Sequence, residues 1–159
     1  MVNEPVRVFV PFVQEGVWKI MRSPAERIPS HGTDVYGQRY AFDLCPADEE
    51  GRIHSGTVAG MIFLSTPVEK FSGWNMPVRS FTQGRVVAAQ DGVPDGRSVN
   101  VLLDRLRRSR LRRTFNGDLR VLLGNFVIVE GSNGSFLYAH LRCSSIAVRA
   151  GDAVIEGSL

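Results

Sequence analysis

The sequence predicts a mainly β domain of short antiparallel strands with one inserted helix. Runs of alternating apolar and polar residues are short and are separated by turn residues, a pattern typical of β-rich folds. The clearest example is GNFVIVEGSNGSFLYAHL (124–141), in which two such runs flank an Asn-Gly pair. One segment, 99–114, instead carries apolar residues at helical spacing.

In chain order, the first predicted strand is VRVFVPF (6–12). The next, RYAFDLC (39–45), alternates, which is expected to place Arg39 and Asp43 on the same face. Arg39 is therefore a candidate supporting partner for the Asp43 carboxylate. GRVVAAQDG (84–92) predicts a further strand that ends in a turn.

The Asn-Gly pair at 133–134 supplies the positive φ angles of a tight turn, so the segment around it predicts a β-hairpin. On its second strand, Phe136, Tyr138 and His140 are expected to point to one side. Two roles remain open for Tyr138, which are packing and substrate orientation. SSIAVRAGDAVIEGSL (144–159) then predicts a short strand, a Gly-Asp turn and the start of another strand.

The helix over 99–114 is predicted because apolar residues recur at helical spacing from Val99 to Leu106. Within it, the stretch Arg105–Arg113 contains six arginines and no acid, whereas the whole chain has a formal charge of only +3. An inference about anionic partners therefore concerns this helix alone. A nucleic acid or another anionic polymer, such as one of a cell wall, is its candidate partner.

A length of 159 residues predicts a single domain over 1–159. The sequence has no apolar run long enough for a membrane span, and its start lacks the basic region of a signal peptide. Two cysteines, Cys45 and Cys143, are too few for a disulfide scaffold. Three states remain open for them: reduced thiols, one disulfide, or metal ligands.

The three histidines, His31, His54 and His140, are the residues best suited to metal chemistry. A water-activating zinc site uses three protein ligands drawn from His, Asp and Glu, plus an open position. His31 and Asp43 are candidates for two of these ligands. His140 is a candidate for a nearby helper that accepts a proton or stabilises an oxyanion. His54 is expected to be a solvated loop residue.

Three segments together resemble the lysostaphin-like zinc metallopeptidases, which are β-sheet peptidoglycan endopeptidases and their relatives. The segments are HGTDVYGQRYAFDL (31–44), GWNMPVRSFTQGRVVAAQDGVPD (73–95) and GNFVIVEGSNGSFLYAHLRCSSIAVRAGDAVIEG (124–157). They occur in the family's order, and the resemblance runs from about Val17 to the C-terminus. It implies an antiparallel β-sandwich with a groove over one sheet for a peptide cross-link. It also implies a bacterial hydrolase of the cell wall, acting outside the cell or in its envelope.

Carried over residue by residue, His31 looks like the first zinc ligand. His140, in the motif Tyr-Ala-His-Leu, looks like the catalytic histidine. For the second ligand, the family's common H-x-x-x-D spacing matches neither Asp34 nor Asp43. The branch whose motif ends in RYA-x-D-L matches Asp43, which we prefer because a strand residue is better fixed for ligation. Asp34 is then an exposed turn acid.

The family's final H-x-H motif provides the third zinc ligand and a further catalytic histidine, and it is missing after GDAVIEG (151–157). The expectation is therefore a peptidase domain without its last strands, incomplete or inactive, that binds zinc weakly or not at all. Its exposed sheet edge would favour oligomers. The alternative is a non-catalytic relative that binds a peptide, a glycan or a partner protein in the same groove.

Overall fold

The computed structural model describes residues 17–32, 34, 38–114, 121, 123–132 and 134–158, with the backbone alone for 108–114. This part of the chain is mainly β, with antiparallel strands, as predicted, but it also contains a helix over Val58–Phe63 that was not predicted. In chain order the elements are β1 (Val17–Arg22), β2 (Asp43–Ala47), α1 (Val58–Phe63), β3 (Thr66–Pro67), a short 3-10 helix (Val68–Lys70), β4 (Gly84–Gln90), β5 (Ser98–Val99), α2 (Val101–Thr114), β6 (Asn125–Gly131), β7 (Gly134–Leu141) and β8 (Ala153–Val154). The predicted strand over 6–12 lies outside the described residues.

The chain divides into two compact units, which we describe separately. The sheet unit comprises Met1–Glu15, Pro77–Gly92 and Leu123–Leu159. The loop unit comprises Gly16–Met76 and Val93–Leu122. The single-domain organisation and the sandwich arrangement implied by the resemblance stay predictions.

The sheet unit is built on a four-stranded antiparallel sheet in the order β7–β6–β4–β8. Its core consists of buried β-branched residues, which pack well on a pleated sheet face. These are Val86, Val127, Val129 and Val154. The strand predicted at the start of 144–159 does not form, although Ile146 and Val148 still pack against this core.

The predicted hairpin is confirmed as β6 and β7. Gly131 pairs with Gly134 across a two-residue connection, and Gly134 has a φ of 129°. Position 133 lies outside the described residues. On the neighbouring side of β6, Gly84 at the start of β4 pairs with Gly131 as well. The backbones approach so closely there that a Cβ atom at Gly84 would lie 2.2 Å from the Glu130 carbonyl oxygen.

The loop unit contains two short antiparallel pairs, β1 with β2 and β3 with β5. The strand predicted over 39–45 begins only at Asp43, because β1 pairs with residues from Asp43 to Ala47. The N-terminus of α1 is capped by Thr57, whose Oγ1 accepts the Gly60 N–H at 3.0 Å. Local capping and strand pairing thus define the elements of this unit.

The predicted helix is confirmed as α2, and its capping explains where it begins. Asn100 Oδ1 accepts the Leu103 N–H at 3.0 Å, and Asp104 Oδ2 accepts the Asn100 N–H at 3.0 Å. This reciprocal arrangement satisfies donors that a helix start leaves without partners in the helix. No helix in the described part of the chain is long and apolar enough to cross a membrane.

Candidate functional site

The candidate site lies in the loop unit at the start of β2. Asp43 is the first residue of this strand and pairs with Arg22, the last residue of β1, beyond a register shift between Ile20 and Arg22. The Arg22 Nε atom lies 3.9 Å from Asp43 Oδ2. Strand pairing therefore fixes the Asp43 backbone, and the cation opposite faces one carboxylate oxygen. The other oxygen, Oδ1, points to a different partner.

His31 lies in a turn that is tied to the chain just before β2. Ser30 donates its backbone N–H to the Arg39 carbonyl at 2.9 Å and its hydroxyl to the Gln38 carbonyl at 3.0 Å. Gly32 donates its N–H to the Pro29 carbonyl at 3.0 Å, with a φ of 73° that glycine adopts without strain. These bonds hold the backbone on both sides of His31.

The structure brings His31 and Asp43 together. The distance from His31 Nε2 to Asp43 Oδ1 is 2.9 Å. On the other side of the ring, Nδ1 lies 3.1 Å from Ser30 Oγ. Because the single hydroxyl hydrogen of Ser30 goes to Gln38, its oxygen accepts from Nδ1, and we assign a hydrogen to that nitrogen.

In this tautomer the Nε2 lone pair faces a carboxylate oxygen, an arrangement that a cation between them would complete, whereas in the other tautomer Nε2–H donates to Asp43 and no cation is required. One such cation is a proton on Nε2, which gives an imidazolium–carboxylate pair. The other is a metal ion bound by Nε2 and the carboxylate. Zinc bonds of about 2.1 Å at a tetrahedral angle place two ligand atoms about 3.4 Å apart, so the 2.9 Å contact would have to open by about 0.5 Å to admit zinc. One carboxylate and one imidazole oriented through its second nitrogen are donor types that zinc uses.

Both side chains of the pair remain accessible from solvent. The His31 side chain is 20% exposed and that of Asp43 is 47% exposed. A water molecule or a substrate carbonyl can therefore approach the pair without displacing packed residues. This partial exposure distinguishes the pair from a buried structural ion pair.

Asp34 takes part in a different interaction. It is exposed and pairs with the Arg39 guanidinium, which also donates to the Tyr40 hydroxyl at 3.1 Å. The expectation that Arg39 supports Asp43 is therefore wrong, since Arg39 is engaged with Asp34. Arg22 is the cation that faces Asp43.

The expectation that His54 is a solvated loop residue is also wrong. His54 is only 6% exposed, and its Nδ1 accepts the Gly56 N–H at 2.9 Å. Its ring centre lies 5.5 Å from that of Phe71, with which it also forms an isolated β-bridge. These contacts hold the loop that carries His54 against Phe71.

His140 lies in the sheet unit, at a β-bulge near the end of β7. A register shift in the pairing with β6 gives β7 one extra residue between Tyr138 and Leu141. His140 is exposed and has a φ of 60°, a conformation that is uncommon for residues other than glycine. Leu141, and not His140, packs beside Tyr138 against the core, so the expected alternation ends at the bulge. Bulges often re-aim functional side chains in this way.

Of the two roles open for Tyr138, the structure shows packing. The Tyr138 hydroxyl accepts the Phe81 N–H at 2.8 Å. The two rings pack in a tilted arrangement with centres 5.3 Å apart. Tyr138 therefore anchors the segment before β4 onto the sheet.

The loop that follows His140 is held by the carboxylate of Asp91. Its Oδ1 accepts the N–H groups of Gly92 at 2.6 Å and Ser144 at 2.8 Å, and its Oδ2 accepts that of Ile146 at 3.3 Å. Burial alone would raise the pKa of Asp91, but these backbone donors outweigh it and hold the pKa below its usual value.

A depressed pKa in the folded state means that ionised Asp91 stabilises the fold, and that this stabilisation disappears as the pH falls through the folded-state pKa. We therefore expect Asp91→Asn to be less stable than the wild type at pH 7. The difference should shrink as the pH falls below the ordinary aspartate pKa of about 3.9. Urea unfolding of both proteins at neutral and acidic pH measures it. A difference that does not change with pH would contradict the role of the charge.

Neither Cys45 nor Cys143 forms a disulfide. Burial, followed by the charge of Asp43, raises the pKa of the Cys45 thiol. At neutral pH this thiol is therefore protonated more completely than an exposed one and is a poorer metal ligand. Within the described ranges, no group of three or more His, Cys, Asp or Glu side chains is placed to hold a metal ion.

Two residues of the site, Ser30 and Arg22, were missed by the sequence analysis. Ser30 directly precedes His31, and this adjacency is the one sequence signal for its contact with the ring. Arg22 has no such signal, because only the pairing of β1 with β2 brings it opposite Asp43.

Comparison with known proteins leaves the family of this chain open. No family model, no curated protein and no solved structure matches it. The family therefore stays a resemblance carried by three motifs in order.

Proposed function

We propose that this chain is a peptidase domain of the lysostaphin-like zinc type, whose reaction is the hydrolysis of peptide bonds in peptidoglycan cross-links, with an incomplete zinc site that leaves its own activity low or absent. In this proposal His31 and Asp43 bind zinc and His140 is the catalytic histidine. The observation that carries it is the 2.9 Å contact between His31 Nε2 and Asp43 Oδ1, with the ring oriented by Ser30. The substrate class and the role of His140 are supported by the resemblance of the motifs.

The residues around the site have separate contributions to this chemistry. Ser30 keeps the hydrogen on Nδ1, so the lone pair of Nε2 is available to a metal. Asp43 contributes negative charge through Oδ1, while Arg22 faces Oδ2 and restricts rotation of the carboxylate. Bound zinc supplies a polarised carbonyl and a water of lowered pKa. Two protein ligands leave positions for that water and for one further donor.

His140 is suited to move protons in this reaction. A histidine can accept and return a proton near neutral pH, and general acid–base catalysis is the role that the resemblance gives to His140. Hydrolysis then adds water across the amide and yields a carboxylate and an amine. The exposure of His140 and its position on a bulge support a role outside the core.

Cleavage of a purified cross-linked muropeptide dimer by the zinc-supplemented chain, followed by chromatography and mass spectrometry, tests the proposal. Cleavage by the wild type that falls by about a hundredfold or more in His31→Ala and His140→Asn supports the proposal. Asparagine is chosen at position 140 because it tolerates a positive φ. Asp34→Asn, a nearby acid outside the pair, should cleave like the wild type.

The opposite result would favour the non-catalytic alternative. If the zinc-supplemented chain binds the dimer but leaves it intact, the protein is a peptide- or glycan-binding domain and the hydrolase proposal fails. Cleavage that persists unchanged in His31→Ala would likewise remove His31 from the site.

A further inference from the structure

Exposed apolar side chains lie beside basic residues at the start of α2. Three leucines of this helix, Leu102, Leu103 and Leu106, are 53%, 47% and 58% exposed. The end of α1 lies against the same region, because Asn100 Nδ2 donates to the Leu64 carbonyl at 3.3 Å. We define the leucine–arginine surface by its exposed members, which are Phe63, Leu64, Leu102, Leu103, Arg105, Leu106 and Arg107.

The sequence of the helix that carries this surface is rich in arginine. The only acid of α2, Asp104, pairs with Arg107 at 3.5 Å. From Arg105 to Arg113 the sequence has six arginines and no acid, and the helix backbone runs through all of them. A partner must therefore be anionic, and it must also cover leucine side chains.

We propose that the leucine–arginine surface docks on a lipid bilayer that contains anionic headgroups. Guanidinium groups form paired hydrogen bonds with lipid phosphates, and the exposed leucines enter the boundary between headgroups and acyl chains. The helix would lie in the plane of the interface and not cross it, in agreement with the finding that no described helix can span a membrane.

A soluble polyanion fits these observations less well. Nucleic acid and wall polymers satisfy arginines through phosphate contacts, but they offer no apolar phase that covers leucines. Binding to single-stranded nucleic acid also uses aromatic side chains on which bases stack. In the described part of α2 the exposed apolar residues are leucines, and the surface has one aromatic member, Phe63 at the end of α1. The exposed leucines therefore favour a lipid bilayer over a soluble polyanion as the partner.

Sedimentation of the full chain with vesicles tests this inference. One set of vesicles contains phosphatidylcholine alone, and the other contains phosphatidylcholine with phosphatidylglycerol. We expect sedimentation with the anionic vesicles only. It should be about tenfold weaker both in Leu103→Ser/Leu106→Ser and in Arg105→Gln/Arg107→Gln. Ile155→Ser, a change of an exposed apolar residue in the sheet unit, is the matched control and should bind like the wild type.

Two outcomes would overturn the inference. One is that the wild-type chain fails to sediment with the anionic vesicles. The other is that the leucine variant binds vesicles as well as the wild type, while the arginine variant loses binding both to vesicles and to a heparin column. That second pattern would assign the arginines to a soluble polyanion. Circular dichroism melting of each variant verifies that it is folded, and the comparison of the two vesicle types needs no variant.

Discussion

Zinc affinity is expected to fall by about a hundredfold or more when His31 is replaced by alanine, because the change removes one of two protein ligands. Asp43→Ala should have a similar effect, since it removes the carboxylate oxygen that is in contact with His31 Nε2. Ser30→Ala should weaken binding less, by about tenfold, because it removes only the partner that orients the ring. Isothermal titration of zinc into metal-free protein measures all three.

Asp34→Asn is the matched control for this series. Asp34 is an acid close in sequence to His31, but it pairs with Arg39 and is not in contact with the ring. Its zinc affinity should equal that of the wild type. If Asp34→Asn lost as much affinity as we expect of Asp43→Ala, Asp34 would be a zinc ligand and the pair of His31 with Asp43 would not account for the site. Equal affinity in the wild type and His31→Ala would exclude the site.

Gly84→Ala is expected to lower the free energy of unfolding by about 3 kcal/mol, at the upper end of the usual cost of overpacking. A Cβ atom there would lie 2.2 Å from the Glu130 carbonyl oxygen and 3.0 Å from the Gly131 Cα. Both contacts are with backbone atoms of β6, which cannot move aside as a flexible side chain can. The pairing of β4 with β6 would have to separate locally.

Gly96→Ala is a suitable control, because the nearest atom to its Cβ would be the Ser98 carbonyl oxygen at 4.0 Å. We expect it to change stability by no more than about 0.5 kcal/mol. Urea unfolding followed by circular dichroism measures both variants. A Gly84→Ala protein as stable as Gly96→Ala would show that β4 and β6 are not packed as closely as described.

The elements with strong local signals were predicted from the sequence. The hairpin β6–β7 follows from its Asn-Gly turn, and α2 follows from its helical spacing of apolar residues. The strand predicted over 39–45 starts late, because its partner strand β1 decides which of its residues are paired. No local pattern reveals that choice.

The bulge in β7 could not be predicted for a related reason. Alternation along a strand assumes regular pairing, and a one-residue register shift against β6 reverses the face of every later residue. His140 therefore leaves the face of Tyr138. The expectation that His54 is solvated was wrong, because its burial depends on contact with Phe71, which is distant in sequence.

The candidate site was predicted in its two central residues but not in their supports. His31 and Asp43 were selected by motif resemblance and by the fixed position of a strand residue. The Nε2–Oδ1 contact and the tautomer depend on the turn that holds Ser30 against Gln38. Arg22 enters through strand pairing alone. Such contacts follow from tertiary structure, which residue spacing does not encode.

The most direct test of the proposed zinc ligands is nitrogen NMR of the histidine rings, in protein labelled with ¹⁵N at histidine. The chain has only three histidines, so His31→Ala and His140→Asn suffice to assign the signals. On addition of zinc, the His31 Nε2 resonance should shift to the position of a metal-bound imidazole while Nδ1 retains its hydrogen. The signals of buried His54 should stay unchanged. If zinc leaves the His31 resonances where they are, His31 is not a ligand and the proposed metal site is wrong.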